Sequence, residues 1–76
     1  MTLDIIKNTI TENSGITFSV ISERQPNQIK LEISGNIHEF TINDDKTYWN
    51  VWMDHYCDEQ GQFSDEEMIE ELSYIC

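Results

Sequence analysis

Positive charge is almost missing from this chain. Four lysines and arginines stand against fifteen aspartates and glutamates, a formal net charge of −11. That balance excludes direct binding to nucleic acid, whose phosphates need cations opposite them, and it disfavours anionic membrane surfaces. Long apolar runs are missing too. None exceeds three residues, which rules out a membrane-spanning helix, and no basic segment followed by an apolar run opens the chain as a signal peptide would. A cytoplasmic protein is expected. Cysteine is scarce: Cys57 and Cys76 are too few for a disulfide scaffold, and both read as reduced thiols.

With 76 residues there is room for one domain and little room for a deep pocket. A hydrophobic content of 38%, with 11% aromatic, still permits a small core. The whole chain, 1–76, is read as a single acidic domain.

The charge that is present is unevenly placed. From Asp44 to Cys76 there are ten carboxylates (Asp44, Asp45, Asp54, Asp58, Glu59, Asp65, Glu66, Glu67, Glu70 and Glu71) against the single base Lys46. Self-repulsion of this kind lowers stability, so its retention points to a positively charged partner; the plainer alternative is solubility. A block of carboxylates resembles a phosphate backbone. The expected partner is therefore a basic nucleic-acid-binding protein.

Periodicity predicts the elements. Thr2 caps a helix over 2–14 with Leu3, Ile6 and Ile10 on one face, stopped at Asn13-Ser14-Gly15. Ile16, Phe18 and Val20 alternate with polar residues in a strand over 16–22, and Glu23 to Asn27, with Pro26 inside, reads as a turn. Strands over 28–34 and 37–42 follow, joined by Gly35-Asn36 as a two-residue hairpin turn. That turn pairs Ser34 with Ile37, Leu31 with Phe40 and Ile29 with Ile42, and leaves Glu32 facing Glu39, an unfavourable like-charge pair.

Asn43-Asp44-Asp45 offers helix caps, and Tyr48, Trp49, Trp52, Met53 and Tyr56 fit a wide apolar face of a helix over 45–60, ended by Gly61. Ser64 and Glu67 form a capping box for a last helix over 64–75, with Phe63 and Met68 in the positions of a hydrophobic staple. The predicted fold is α+β, in the order α-β-β-β-α-α, a three-stranded antiparallel sheet packed with helices.

No catalytic constellation emerges. His38 continues the core face of its strand and reads as structural, while His55 and Cys57 do not face each other on a helix. Counting an EF-hand loop from Asp58 puts Phe63 where glycine belongs and Ile69 where the bidentate glutamate belongs. Zinc would have only scattered ligands. Neither an enzyme nor a cofactor or metal site is expected. What remains is the last helix, where Glu66 and Glu70, and Glu67 and Glu71, are like charges four residues apart. A chain that caps this helix so well breaks a local rule there, as functional surfaces do. Tyr48 and Trp49, at the rim of the aromatic helix, read as core or as interface anchors.

Element order, size and acidity together resemble the small phage- or prophage-encoded anti-CRISPR proteins that inhibit type II-A Cas9. The matching stretch is Asp58-Glu59-Gln60-Gly61-Gln62-Phe63-Ser64-Asp65-Glu66-Glu67-Met68. The resemblance implies a DNA mimic whose carboxylates occupy the cleft where arginines of guide-loaded Cas9 read the PAM guanines, in the cytoplasm of a bacterial host. It also implies that the hairpin tip, here Gly35-Asn36, reaches towards a nuclease site. Partner-binding residues are then Asp44, Asp45, Tyr48, Asp58, Glu59, Asp65, Glu66, Glu67, Glu70 and Glu71 besides that tip. Two other functions suit the same residues: an immunity protein or antitoxin that neutralises a basic nuclease toxin, and a small regulatory subunit docking through the aromatic helix.

Overall fold

The computed structural model describes residues 2–12, 17–25 and 27–75. Its element order is α1 (Leu3–Glu12), β1 (Ser19–Gln25), β2 (Gln28–Ile33), β3 (Asn36–Asn43), β4 (Lys46–Met53), β5 (Tyr56–Phe63) and α2 (Asp65–Leu72). The five strands form one antiparallel meander in the order β1-β2-β3-β4-β5. The expected three-stranded sheet with three helices is therefore overturned: the segment 45–60, predicted as a helix, forms β4 and most of β5.

The reason lies in two periods that coincide over the same aromatics. Tyr48, Trp52 and Tyr56 suit a helical face, but Thr47, Trp49 and Val51 also alternate with Tyr48, Asn50 and Trp52, and this second pattern prevails. The odd-numbered set is buried and the even-numbered set is not. β-branched and aromatic residues favour a pleated surface, and β3 offers it a ladder, from Asn43↔Lys46 to Ile37↔Trp52. Asp44-Asp45, expected as helix caps, make the two-residue connection of that hairpin. Asp54-His55 makes the next, with Asp54 at φ 50°, where aspartate is better tolerated than most residues.

The first tight hairpin is also corrected. Ser34 and Gly35, at φ 53° and 85°, are its central residues, as a type I′ turn requires, so Ile33 pairs with Asn36, Leu31 with His38 and Ile29 with Phe40. The register slips by two residues from the expected one, which keeps every side chain on its predicted face. It also removes the like-charge pair. Glu39 now faces Lys30, with an ion pair at 3.4 Å, and Glu32 faces Ile37.

β1 starts later than expected and extends through Gln25, where the sequence reads as a turn; Gln25 then pairs with Gln28. Val20, expected inside, is 47% exposed, and β1 joins β2 through two register irregularities. The predicted helix stop at Asn13-Ser14-Gly15, the strand start at Ile16, and Pro26 and Cys76 lie outside the described residues.

Both helices cover one face of the sheet. Thr2 caps α1, its hydroxyl accepting from the Ile5 amide at 3.2 Å. At α2 the Ser64 hydroxyl accepts from the Glu67 amide while the Glu67 carboxylate accepts from the Ser64 amide, the full capping box. Helices this short are marginal alone, so packing holds them. Ile6 and Ile10 of α1 and Met68 and Leu72 of α2 are wholly buried against Ile29, Leu31, Ile33, Phe40, Trp49 and Val51. Each such burial stabilises by roughly 1.5–3 kcal/mol.

Gly61, expected to stop a helix, sits at φ 127° beside a bulge. Trp49 pairs with Gly61 but Asn50 pairs with Glu59, leaving Gln60 extra on β5. There the Trp49 ring lies between Phe40 and Phe63, with centroids 5.5 and 6.1 Å away.

Candidate functional site

Two surfaces of different character lie on opposite sides of the sheet. The first is the outer side of α2. With Met68 and Leu72 anchored in the core, Asp65, Glu66, Glu67, Glu70 and Glu71 are all exposed. Hydrogen bonds from Ser64 pull the Glu67 carboxyl below its usual range, with a smaller contribution from Lys46. Glu66, Glu70 and Glu71 have no cation partner among the described residues. Rows four residues apart rise about 6 Å, so the carboxylates form a regular array on a rigid support.

Phe63, the last residue of β5, pairs with Thr47, which places the β3–β4 turn beside the start of α2. Exposed Asp44 and Asp45 thus join Asp65, Glu66 and Glu67 at one end of the molecule. The other expected site residues lie elsewhere. Asp58 and Glu59 are not in a helix-to-helix loop but on edge strand β5, where their pairing with Val51 and Asn50 sends them to opposite faces. Gly35 and Asn36 mark the opposite end of the sheet, at the β2–β3 turn. Tyr48 stands on the face that no helix covers.

That uncovered face is the second surface, and the helical period over 45–60 hides it in the sequence. Cross-strand pairing lines up Glu32, Ile37, Trp52 and Cys57 in one row and Gln28, Thr41, Tyr48 and Gln62 in another, with Lys30, Glu39, Asn50 and Glu59 between them. Trp52 is 46% exposed and Tyr48 38%. A groove of about 580 Å³ is lined by Thr41, Lys46, Tyr48, Asn50, Glu59, Gly61 and Gln62. The signal that finds this face is the alternation through β4 together with turn residues at Ser34, Asp44 and Asp54, the regular spacing of a meander.

His38, Cys57 and His55 have separate surroundings. His38 is buried, its Nδ1 accepting from the Trp49 indole at 3.1 Å, and desolvation lowers its pKa. It serves the core. Desolvation, with Glu59, Glu39 and Asp58 nearby, raises the Cys57 thiol, which keeps it protonated and a poor nucleophile. His55 is exposed in the β4–β5 turn. Among the described residues no three His, Cys, Asp or Glu side chains are grouped to hold a metal ion, and no helix is long and apolar enough to cross a membrane.

No protein-family model matches the chain, and neither a curated protein nor a solved structure matches it significantly. Function is therefore a matter of the surfaces' own chemistry.

Proposed function

We propose that the protein is a non-enzymatic inhibitor that mimics nucleic acid, its acidic end entering the basic cleft of a nucleic-acid-binding protein. The observation that carries this reading is the outer face of α2. Its carboxylates are exposed and regularly spaced on a helix held by a buried apolar side and a complete capping box, so little backbone order has to be created on binding. Asp44 and Asp45 extend the array around the end of the sheet. Bidentate arginines select planar acceptors, and carboxylates present them as phosphates and guanine edges do.

In the terms of the family that the sequence resembles, the partner is guide-loaded Cas9 of a bacterial host and the contact is with its PAM-reading arginines. Support for that particular partner is limited to the acidic segment. The three-stranded, three-helix order that first contributed to the resemblance is not the order of this chain. Gly35 and Asn36 lie at the far end from Asp44, Asp45 and the start of α2, so any contact they make with a nuclease site is separate from that of the acidic end.

A competition assay tests the reading. Labelled PAM-bearing duplex is bound to guide-loaded Cas9, and in parallel a non-specific duplex is bound to unrelated basic DNA-binding proteins, and each complex is titrated with the protein. Direct binding of the protein to each partner that it clears of DNA, measured without DNA, should weaken steeply as salt rises from about 50 to about 200 mM, because charge opposite charge is screened. Failure to displace DNA from every one of them, or direct binding indifferent to salt, sinks the proposal.

A further inference from the structure

The uncovered sheet face poses a separate question from the acidic helix. It carries a protruding indole, Trp52, and on the same strand, four residues away, a groove beside Tyr48. Its charges are also close to balance. Lys30 and Lys46 stand there against Glu32, Glu39 and Glu59, whereas α2 on the opposite side shows five exposed acids.

We propose that this face is a self-association surface, on which a second copy of the chain packs face to face with Trp52 of each copy seated in the groove beside Tyr48 of the other. The proposal does not depend on the inhibitor reading. A knob and a hole on one face satisfy the self-complementarity that a two-fold interface demands. Trp52 and Tyr48 are about 13 Å apart along β4, so a two-fold axis lying in the interface and crossing β4 at Asn50 exchanges them. That axis also brings Asp54 of one copy towards Lys46 of the other. Five strands of up to eight residues span a face of roughly 24 by 26 Å, about 600 Å² per partner, which is smaller than a standard interface but clears the ~1,000 Å² total that a specific one needs.

Charge favours a second copy over a basic partner at this place. Two chains of net charge −11 can approach most easily through the face where acids and lysines nearly balance. Their α2 helices then point outward, further apart than the ~10 Å between packed sheets and beyond the ~8 Å screening length at physiological salt. A domain this small gains stability from association that its own core cannot supply. The row on the axis opposes it: Lys30, Glu39 and Glu59 each come beside their own symmetry mates, with the Lys30–Glu39 ion pair offsetting the first two and Glu59 left unrelieved at the exposed edge.

Sedimentation velocity of the full chain, from low to high micromolar concentration, tests this. The mass should rise from 9.0 kDa towards twice that value, and more readily in moderate than in low salt, the reverse of the dependence expected for a basic partner. Trp52→Lys should remain at 9.0 kDa with an unchanged circular dichroism spectrum. Tyr48→Lys should do the same from the other side of the contact, and it replaces the first variant should that one misfold. Glu59→Gln should shift dimerisation to several-fold lower concentration. A wild-type chain that stays at 9.0 kDa throughout, or a folded Trp52→Lys that still doubles its mass, overturns the proposal. So does a Trp52→Lys that loses a heterologous partner while the wild type never self-associates, since the face would then belong to that partner.

Discussion

Trp49 donates its indole N–H to Nδ1 of His38 across the β3–β4 pair, at 3.1 Å, in the centre of the sheet's buried face. Because indole can only donate, His38 must be neutral here, with its proton on Nε2. Burial holds its pKa below the ordinary 6.5. Below pH 6.5 the unfolded chain therefore binds a proton that the folded chain refuses. This contribution to stability is complete above the unfolded value and is lost as pH falls from 6.5 through the folded value. Protonation of the carboxylates relieves repulsion in the same direction of pH, so the comparison must be with a variant. His38→Gln keeps an acceptor for Trp49 but does not titrate. Urea unfolding between neutral pH and about pH 5 should show the wild type losing more stability than this variant. Parallel curves would mean that His38 is not protonated differently in the two states.

Thr47 carries the one buried side-chain polar atom without a hydrogen-bond partner among the described residues. Its side chain is fully buried, on the row of Ile42 and Phe63. Valine has nearly the same shape, suits a strand equally well and removes the stranded hydroxyl. Thr47→Val should therefore stabilise by about 1 kcal/mol, read as a rise of roughly 4–8 °C in Tm. A fall in Tm would show that the hydroxyl is satisfied in solution.

The Ser34-Gly35 turn separates backbone strain from crowding. A Cβ on Gly35 would meet nothing within 4 Å, yet its φ is 85°. Gly35→Ala should still destabilise by roughly 1 kcal/mol, through conformation alone. Ser34→Asn, which creates the Asn-Gly pair that type I′ turns prefer, should stabilise by a few tenths of a kcal/mol. Both are checked by chemical denaturation. An unaffected Gly35→Ala would place the turn in another conformation.

The contrast between the ends and the middle of the chain explains what was legible. Thr2, Ser64 and Glu67 act through bonds to backbone a few residues away, so α1 and α2 can be read from adjacent letters. Ile29, Leu31 and Ile33 alternate without ambiguity, and β2 follows. Over Lys46–Met53, by contrast, neighbouring aromatics satisfy both a helical and a two-residue period, and the choice is made by a ladder to β3 that no local window contains. β5 is harder still. Its Cys57-Asp58-Glu59-Gln60-Gly61-Gln62 is almost wholly polar because it is an edge strand, with a bulge where Gly61 meets Trp49. The α2 carboxylates were visible as an outward array, whereas the uncovered face with Trp52 depends on two strands that were read as a helix.

The acidic helix gives the sharpest separation of folding from binding. Glu66 and Glu70 are like charges one turn apart, as are Glu67 and Glu71, and each pair destabilises the helix by a few tenths of a kcal/mol. Glu67 also supplies the second half of the capping box, so it is left in place. Replacing Glu66, Glu70 and Glu71 together by glutamine should leave thermal stability unchanged or slightly higher, with only a small loss of dipole complementarity at Glu66. Binding to the basic partner should nevertheless collapse. Each arginine or lysine that had been buried against one of these carboxylates would lose its counter-charge, at roughly 2–5 kcal/mol per pair. Glu12→Gln, at the exposed end of α1, serves as the control and should change binding little. Melting curves and partner titrations on the same preparations decide the matter. Normal binding by the triple variant would leave α2 as a solvated face, and the nucleic-acid mimic would lose the observation on which it rests.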